Sequence, residues 1–313
     1  MKPVIFIDGR EGTTGLQIYD RLTPRQDIEL LLIDEEKRKD PAERKKCLNA
    51  ADLVFLCLPD EAAREAVAMI DNPNTRVIDA STAHRTAPGW DYGFPELSPH
   101  HRARIACSKR VANPGCHASG FIASVYPLVQ LGLIPPDHPL CAYSLTGYSG
   151  GGKKLIAEYQ DPHRGPRHAS ARIYGTNLRH KHLPEMKEIS GLAHTPMFVP
   201  VVCDYYCGMQ VLVPLDLTVT GTTAEAVAAG LADYYKDAAT VKVHALNESL
   251  PENGLYSNAM AGTDRMELYL TVNAAGDQMM LVSLFDNLGK GSSGAAVQCM
   301  NLMLGLPETE GLE

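Results

Sequence analysis

The sequence predicts an α/β protein in two parts: an N-terminal doubly wound parallel-sheet domain, then an α+β domain on a mostly antiparallel sheet. Three observations predict this. Up to about residue 117, short apolar runs alternate with stretches long enough for a helix or crossover, the signature of βαβ units. Beyond it the apolar runs lengthen and read as strands of an antiparallel sheet. The 313 residues also exceed one core at roughly 100 to 200 residues per domain, and 45% apolar with 21% charged residues is an ordinary globular composition.

Taken in order, Val4 to Asp8 is the first strand, and Gly9-Arg10-Glu11-Gly12-Thr13-Thr14-Gly15 leads from it into a helix over Leu16 to Leu22. Ile28 to Ile33, Leu53 to Leu58 and Val77 to Ala80 continue the sheet. Between the last two, Glu61 to Ile70 is amphipathic, with Asp60 placed to cap it. The second part opens with a helix from His117 to Leu131 and continues with strands at Ala142 to Thr146, Gln210 to Thr218, Arg265 to Asn273 and Met279 to Phe285. Thr222-Thr223-Ala224-Glu225 has capping-box spacing and starts an Ala-rich helix to about Lys236. Gly150 to His182 shows no period and reads as a surface loop or part of a ligand site. There is no internal repeat.

Lys plus Arg number 29 against 37 Asp plus Glu, a net charge of −8, so no global basic field draws nucleic acid or anionic lipid. The first apolar run is too short for a signal peptide, and none approaches the ~18 residues of a membrane span. Eight cysteines are scattered without disulfide-scaffold or zinc-knuckle spacing, which points to the reducing cytoplasm. Cys203 and Cys207 lack further ligands at metal spacing, so no metal site is expected, and the cysteines other than Cys116 read mostly as packing residues.

Two segments carry chemistry. In the first turn, three glycines in GxxGxxG spacing between a strand and a helix allow backbone N–H groups to approach a pyrophosphate. Asp34, at the end of the second strand, suits a ribose 2′-hydroxyl, whereas Lys37, Arg38 and Lys39 suit a 2′-phosphate, so the residues leave NAD against NADP open. In the second segment, Asn113-Pro114-Gly115-Cys116-His117-Ala118-Ser119-Gly120, Pro and Gly break the chain just before a helix and leave Cys116 at its N-terminus. There the dipole and free N–H groups favour a thiolate.

These two segments, with His180-Lys181-His182-Leu183-Pro184-Glu185-Met186 and Asp286-Asn287-Leu288-Gly289-Lys290-Gly291, resemble the shorter variety of the N-acetyl-γ-glutamyl-phosphate reductases of arginine biosynthesis. The resemblance spans nearly the whole chain. It departs at His117, where the family usually has an aromatic residue, and at Ser119, where it has Thr. The resemblance implies a fold like aspartate-semialdehyde dehydrogenase. A Rossmann-like NADP-binding domain would comprise 1–116 and 286–313, with a C-terminal helix over Ser292 to Leu304, capped by Ser292 or Ser293, returning to it. A catalytic and dimerising domain would comprise 117–285, in a homodimer or homotetramer.

By the same resemblance, Cys116 is the nucleophile that forms a thioester and His182 moves the proton, with His180 the second candidate. Arg85, Asn113, His180 and Glu185 are implied on the substrate, Arg85 as a clamp for the leaving phosphate. Gly9, Gly12, Thr13, Thr14, Gly15, Lys37, Arg38 and Asn287 are implied around NADP. The same groups would serve aspartyl phosphate or N-acetyl-aminoadipyl phosphate, and a non-catalytic dinucleotide-binding redox sensor with an oxidisable Cys116 is the rival of another class.

Overall fold

Strict alternation in β1 (Val4–Asp8) sets the two faces of the first sheet. Ile5 and Ile7 pack on one side with Ile18 and Leu22 of α1 (Thr13–Leu22) and with Ala296, Val297, Met300 and Met303 of the C-terminal helix (Gly294–Leu304). Phe6 packs on the other with Leu48 of α2 (Pro41–Ala50) and with Ala63 and Ala66 of α3 (Asp60–Ala68). The computed structural model describes residues 2–248 and 254–313, and the chain divides into two units, 2–114 with Ser292–Leu312 and Gly115–Gly291 with Glu313.

In the first unit β2 (Glu29–Leu31), β3 (Leu53–Leu56), β4 (Arg76–Asp79), β5 (Asp91–Tyr92) and β6 (Arg110–Ala112) join β1 in the order β2-β1-β3-β4-β6-β5, every pair parallel. α4 (Pro99–Cys107) completes the unit. Several boundaries differ from the sequence reading. β2 is three residues long, because it lies at the sheet edge with β1 as its one neighbour and Leu32 already points to solvent. Asp60 is the first residue of α3 and does not cap it; its carboxylate instead holds the N–H and hydroxyl of Thr82. Ser293 stands at the N-cap of the C-terminal helix, as the sequence reading allowed, but its side chain makes no cap bond: a π-turn over Gly289–Ser293 carries the chain into the helix already helical, and Ser293 Oγ donates to Gln17. Gly305, at φ 69°, ends that helix in the left-handed conformation.

The second unit holds β7 (Cys141–Gly147), β8 (Arg172–Ile173), β9 (Met197–Cys203), β10 (Met209–Asp216), β11 (Val241–Val243), β12 (Met266–Val272) and β13 (Gln278–Phe285), in the order β11-β12-β13-β10-β7-β9-β8. The β7–β9 and β11–β12 pairs are parallel and the others antiparallel. α5 (Cys116–Gln130) crosses the middle of this sheet at close range: a Cβ on Gly120 would lie 2.7 Å from both Val211 and Phe285. Ser283 Oγ donates to the Gly120 carbonyl at 2.7 Å, fixing the helix over β13. The period-free stretch is ordered as α6 (Gly152–Gln160), a 3-10 turn at Pro166–Ala169 and β8, and α7 (Leu183–Ser190) follows it. β10 stops at Asp216, whose side chain caps the one-turn α8 (Leu217–Thr220). α9 (Ala224–Tyr234) is capped by Thr223, one residue later than the capping-box spacing places it. No helix among the described residues is long and apolar enough to cross a membrane.

Candidate active site

In the first unit the glycine-rich turn is sterically committed. Gly9 adopts φ +86°, and a Cβ there would lie 2.4 Å from the Cys57 carbonyl oxygen. At Gly15 it would lie 2.4 Å from the Gly9 oxygen, so α1 leaves the sheet at contact distance. Gly12 is the N-cap of α1 and donates its N–H to Gly9 at 2.9 Å. Thr13 is the first helical residue, and Thr14 Oγ1 is 3.2 Å from Ser292 Oγ. Beside the turn lies a cavity of about 350 Å³, lined by the apolar Leu30, Ile33 and Leu58, by Tyr19, and by the cations Arg10, Arg38, Lys39 and Arg44. Arg44 is bound to the buried Asp8 at 2.7 Å, and the Arg10 guanidinium stands 4.9 Å over the Tyr19 ring. Arg38 faces Glu11 at 3.9 Å and Glu35 at 3.6 Å. Lys37 is exposed and not part of this lining, and Asp34 accepts the Glu36 N–H. A partly apolar cavity next to a glycine-lined helix N-terminus fits a nucleotide.

Also in this unit, Asp79 closes β4 fully buried and accepts from Ser81 N–H at 2.9 Å, Ser81 Oγ at 2.7 Å and His84 Nδ1 at 2.6 Å. His84 stacks on Trp90. The loop so held carries Arg85, whose Nε donates to the Asn113 carbonyl at 3.1 Å. Asn113 is buried; its Nδ2 donates to the Ser292 carbonyl, while its Oδ1 has no hydrogen-bond partner among the described residues.

The second unit holds the cysteine. Gly115 is the N-cap of α5, its N–H donates to the buried Glu185 Oε2 at 3.1 Å, and Cys116 starts the helix. A Cβ on Gly291 would lie 3.0 Å from Cys116 Cβ, so the tail glycine lets the chain pass directly against the cysteine. His182 is buried at the N-cap of α7, and its N–H donates to His180 Nδ1 at 3.2 Å. The His180 and His182 rings lie 4.7 Å apart, and both contact the ring of His117, at 5.3 and 5.5 Å. Burial, reinforced by His180 and Lys181, pushes the His117 imidazole down to about 3, so it is neutral. Its Nδ1 is 2.7 Å from Ser144 Oγ and its Nε2 is 2.7 Å from the Tyr174 hydroxyl.

The second unit thus gathers Cys116, His180, His182 and Glu185. Asn287 lies in the same unit, where its carboxamide spans Gly208 N–H and Ser149 Oγ, both at 2.9 Å. Sequence reasoning missed Ser144 and Tyr174 as neighbours of this site and treated His117 only as a departure from a motif. No local signal marks them, since three separate segments bring them together. Cys107 corrects the packing reading of the other cysteines: it ends α4 in an exposed position, where no core covers it. Among the described residues no group of three or more His, Cys, Asp or Glu is arranged to hold a metal ion.

The chain was compared with known proteins. Residues 9–105 match the family described as semialdehyde dehydrogenase, NAD binding domain, and residues 116–287 match semialdehyde dehydrogenase, dimerisation domain. The first unit is accordingly a nicotinamide-dinucleotide-binding domain. The N-acetyl-gamma-glutamyl-phosphate reductase of Burkholderia orbicola is 48% identical over 97% of both chains. That of Trichormus variabilis and N-acetyl-gamma-glutamyl-phosphate reductase 2 of Pseudomonas putida are each 47% identical over 99% of both. Among solved structures, aspartate semialdehyde dehydrogenase II of Vibrio cholerae shares the fold, with TM-score 0.73 at 16% identity over 97% of this chain and 99% of that one. With relatives this similar along almost its whole length, the chain belongs to the N-acetyl-γ-glutamyl-phosphate reductase family of the semialdehyde dehydrogenases.

Proposed function

We propose that this enzyme reduces N-acetyl-γ-glutamyl phosphate to N-acetylglutamate semialdehyde with NADPH, releasing phosphate, as a step of arginine biosynthesis. The observation that carries the reading is the placement of Cys116 at the N-terminus of α5, on a turn held by Glu185 and next to a cluster of histidines. The Cys116 thiolate attacks the acyl carbon; the C–S bond forms, the C–O bond to phosphate breaks, and phosphate leaves. The thioester that remains is a good hydride acceptor. NADPH, when bound, supplies that hydride. His182 gives a proton to the oxygen of the resulting thiohemiacetal and takes it back as the C–S bond breaks, which returns the thiolate and frees the aldehyde. His180 is the second candidate for that proton. Arg85 is assigned to the leaving phosphate, Asn113 to a polar group of the substrate, and Glu185 to the substrate site through the cysteine turn it holds.

For the cofactor, the glycine turn with Thr13 and Thr14 is assigned to the pyrophosphate, and Arg38, which lines the cavity, to the 2′-phosphate in preference to Lys37, which does not. A homodimer or homotetramer is part of the reading, supported by the exposed apolar side chains Tyr143, Met197 and Met280 on strands of the second sheet. A reducing cytoplasm suits the eight free cysteines.

The reverse reaction tests the proposal. N-acetylglutamate semialdehyde should drive NADP reduction only with phosphate or arsenate to clear the thioester, and Cys116→Ser should abolish it. Sustained turnover without phosphate would mean a hydrolysing aldehyde dehydrogenase, and preference for aspartate semialdehyde would move the substrate assignment to the sister enzymes.

A further inference from the structure

The mechanism above uses Arg85 but none of the groups that hold the loop on which it stands. Asp79 is fully buried at the end of β4, and its carboxylate takes the Ser81 N–H, the Ser81 hydroxyl and His84 Nδ1, the last at 2.6 Å. His84 is buried as well, and its ring lies flat on Trp90, with centroids 4.1 Å apart and planes 12° from parallel. Trp90 in turn packs against the core cluster that includes Leu56 and Val77. Arg85 follows His84 directly. Its Nε donates to the Asn113 carbonyl at 3.1 Å and its Nη2 to the Ala80 carbonyl at 3.4 Å. Both carbonyls are tied to the same aspartate, since Ala80 is its neighbour in sequence and Asn113 gives its N–H to the Asp79 carbonyl at 2.8 Å. Imidazole and guanidinium are thus fastened to one point of the sheet.

We propose that the Asp79 and His84 pair, backed by Trp90, sets the plane of the Arg85 guanidinium for bidentate contact with the phosphate group of the substrate. This deepens the reading of Arg85 as the phosphate clamp and rests on it. Asp79 and His84 are positioning residues that act through Arg85. A guanidinium grips phosphate through two parallel N–H bonds, so a tilt of its plane weakens both together, where the rotating ammonium of a lysine would adjust. His84 donates through Nδ1, because an ionised carboxylate only accepts, and its stack on Trp90 keeps the loop from turning about that bond. A carboxylate buried this deeply is a poor source of stability, since desolvation offsets much of what its bonds return. What it supplies is a fixed direction for the cation next to it.

The test is the phosphate dependence of NADP reduction by N-acetylglutamate semialdehyde, read as KM for phosphate beside KM for NADP. Arg85→Ala should raise KM for phosphate by roughly 10 to 100-fold, the loss expected for hydrogen bonds to a charged group. His84→Phe keeps a ring to stack on Trp90 but offers Asp79 no donor; it should raise KM for phosphate about fivefold and move KM for NADP less than about twofold. His84→Asn, whose amide nitrogen takes the place of Nδ1, should recover most of that loss. In the Arg85→Ala background His84→Phe should change KM for phosphate by less than about twofold, because nothing is left to position. Asp79→Asn, equal in shape, reads the same dependence from the other end of the pair if His84→Phe does not fold. An unmoved KM for phosphate in His84→Phe, an equal loss in His84→Asn, or an effect that persists without Arg85 would each overturn the proposal and leave Arg85 on the phosphate. A wild-type KM for phosphate in Arg85→Ala would remove Arg85 from the phosphate and the proposal with it. No NADP reduction at any phosphate concentration would strike the proposed function itself.

Discussion

Two glycines of the first turn should fail in different ways when each gains a single methyl group. At Gly15 an added Cβ would sit 2.4 Å from the Gly9 oxygen and 2.9 Å from Arg10 Cα, both backbone atoms, whereas ordinary contact begins near 3.4 Å. The turn and α1 must therefore separate by roughly 1 Å, and overpacking of this kind costs typically 1–3 kcal/mol. Gly15→Ala should lower the unfolding temperature of the first unit by ~3 to 12 °C, at about 3 to 4 °C per kcal/mol for a unit of this size. At Gly12 the nearest atoms to a Cβ are 3.4 and 3.6 Å away and φ is −70°, so the protein accepts the methyl. Its cost falls on the ligand, because Gly12 is the N-cap in front of which a pyrophosphate would lie. Gly12→Ala should keep the unfolding temperature within about 2 °C and weaken NADPH binding by tenfold or more, a loss of about 1.4 kcal/mol. Scanning calorimetry and a fluorescence titration with NADPH read both quantities. Wild-type stability in Gly15→Ala, or wild-type affinity in Gly12→Ala, would refute the assignment of this turn.

His182→Asn should lower kcat by ~10² to 10⁴-fold with little change in NADPH affinity, as expected for loss of a proton-transfer group; if steady-state kinetics find His180→Asn the more damaging, the two roles exchange. Arg38→Ala should raise KM for NADPH well above that for NADH in parallel assays, and an equal effect on both would remove Arg38 from the 2′-phosphate. Burial holds the imidazole of His117 down at about 3 in the folded chain, against about 6.5 for an imidazole in water. Between those values the unfolded chain binds a proton the folded chain does not, so stability is complete above pH 6.5 and falls as the pH is lowered towards 3, by roughly 1 kcal/mol per unit. Urea titrations of the wild type and His117→Gln at pH 7 and 5 should show the smaller loss in the variant.

Legibility in the sequence followed local physics. β1 could be read because a short unbroken apolar run is the signal of a strand covered on both faces, and the glycine turn because three glycines follow that strand directly. α2 escaped the reading because only Cys47 and Leu48 of its ten residues are buried, too few for a helical period, although Asp40 as cap and Pro41 at the first position mark its start. α4 begins in the same way, with Ser98 as cap and Pro99 next, and buries only Ile105. Cys116 was legible because Pro, Gly and a helix start lie together in sequence. Tyr174 and Ser144 were not, because the antiparallel β8–β9 pair and the parallel β7–β9 pair carry them to His117 from 57 and 27 residues away.

The histidine cluster constrains how the thiolate is stabilised. In many thiol enzymes an adjacent imidazolium supplies the compensating charge. Here the imidazole next in sequence to Cys116, the proposed nucleophile, is kept neutral by its burial among His180, His182 and Phe198, and so brings no positive charge to Cys116. The dipole of α5, at whose N-terminus Cys116 stands, acts without any charge from that imidazole. Even Gly115 N–H, the amide just before the cysteine, is spent on the Glu185 carboxylate, whose negative charge opposes a thiolate. A turn built with a carboxylate against it is therefore fixed in position at some electrostatic cost. Glu185→Gln keeps an acceptor for the Gly115 N–H and removes the charge, so it should lower the pH midpoint of Cys116 alkylation while leaving the turn in place. A midpoint that rises instead would mean that the carboxylate acts through a cation it orients rather than through its own field.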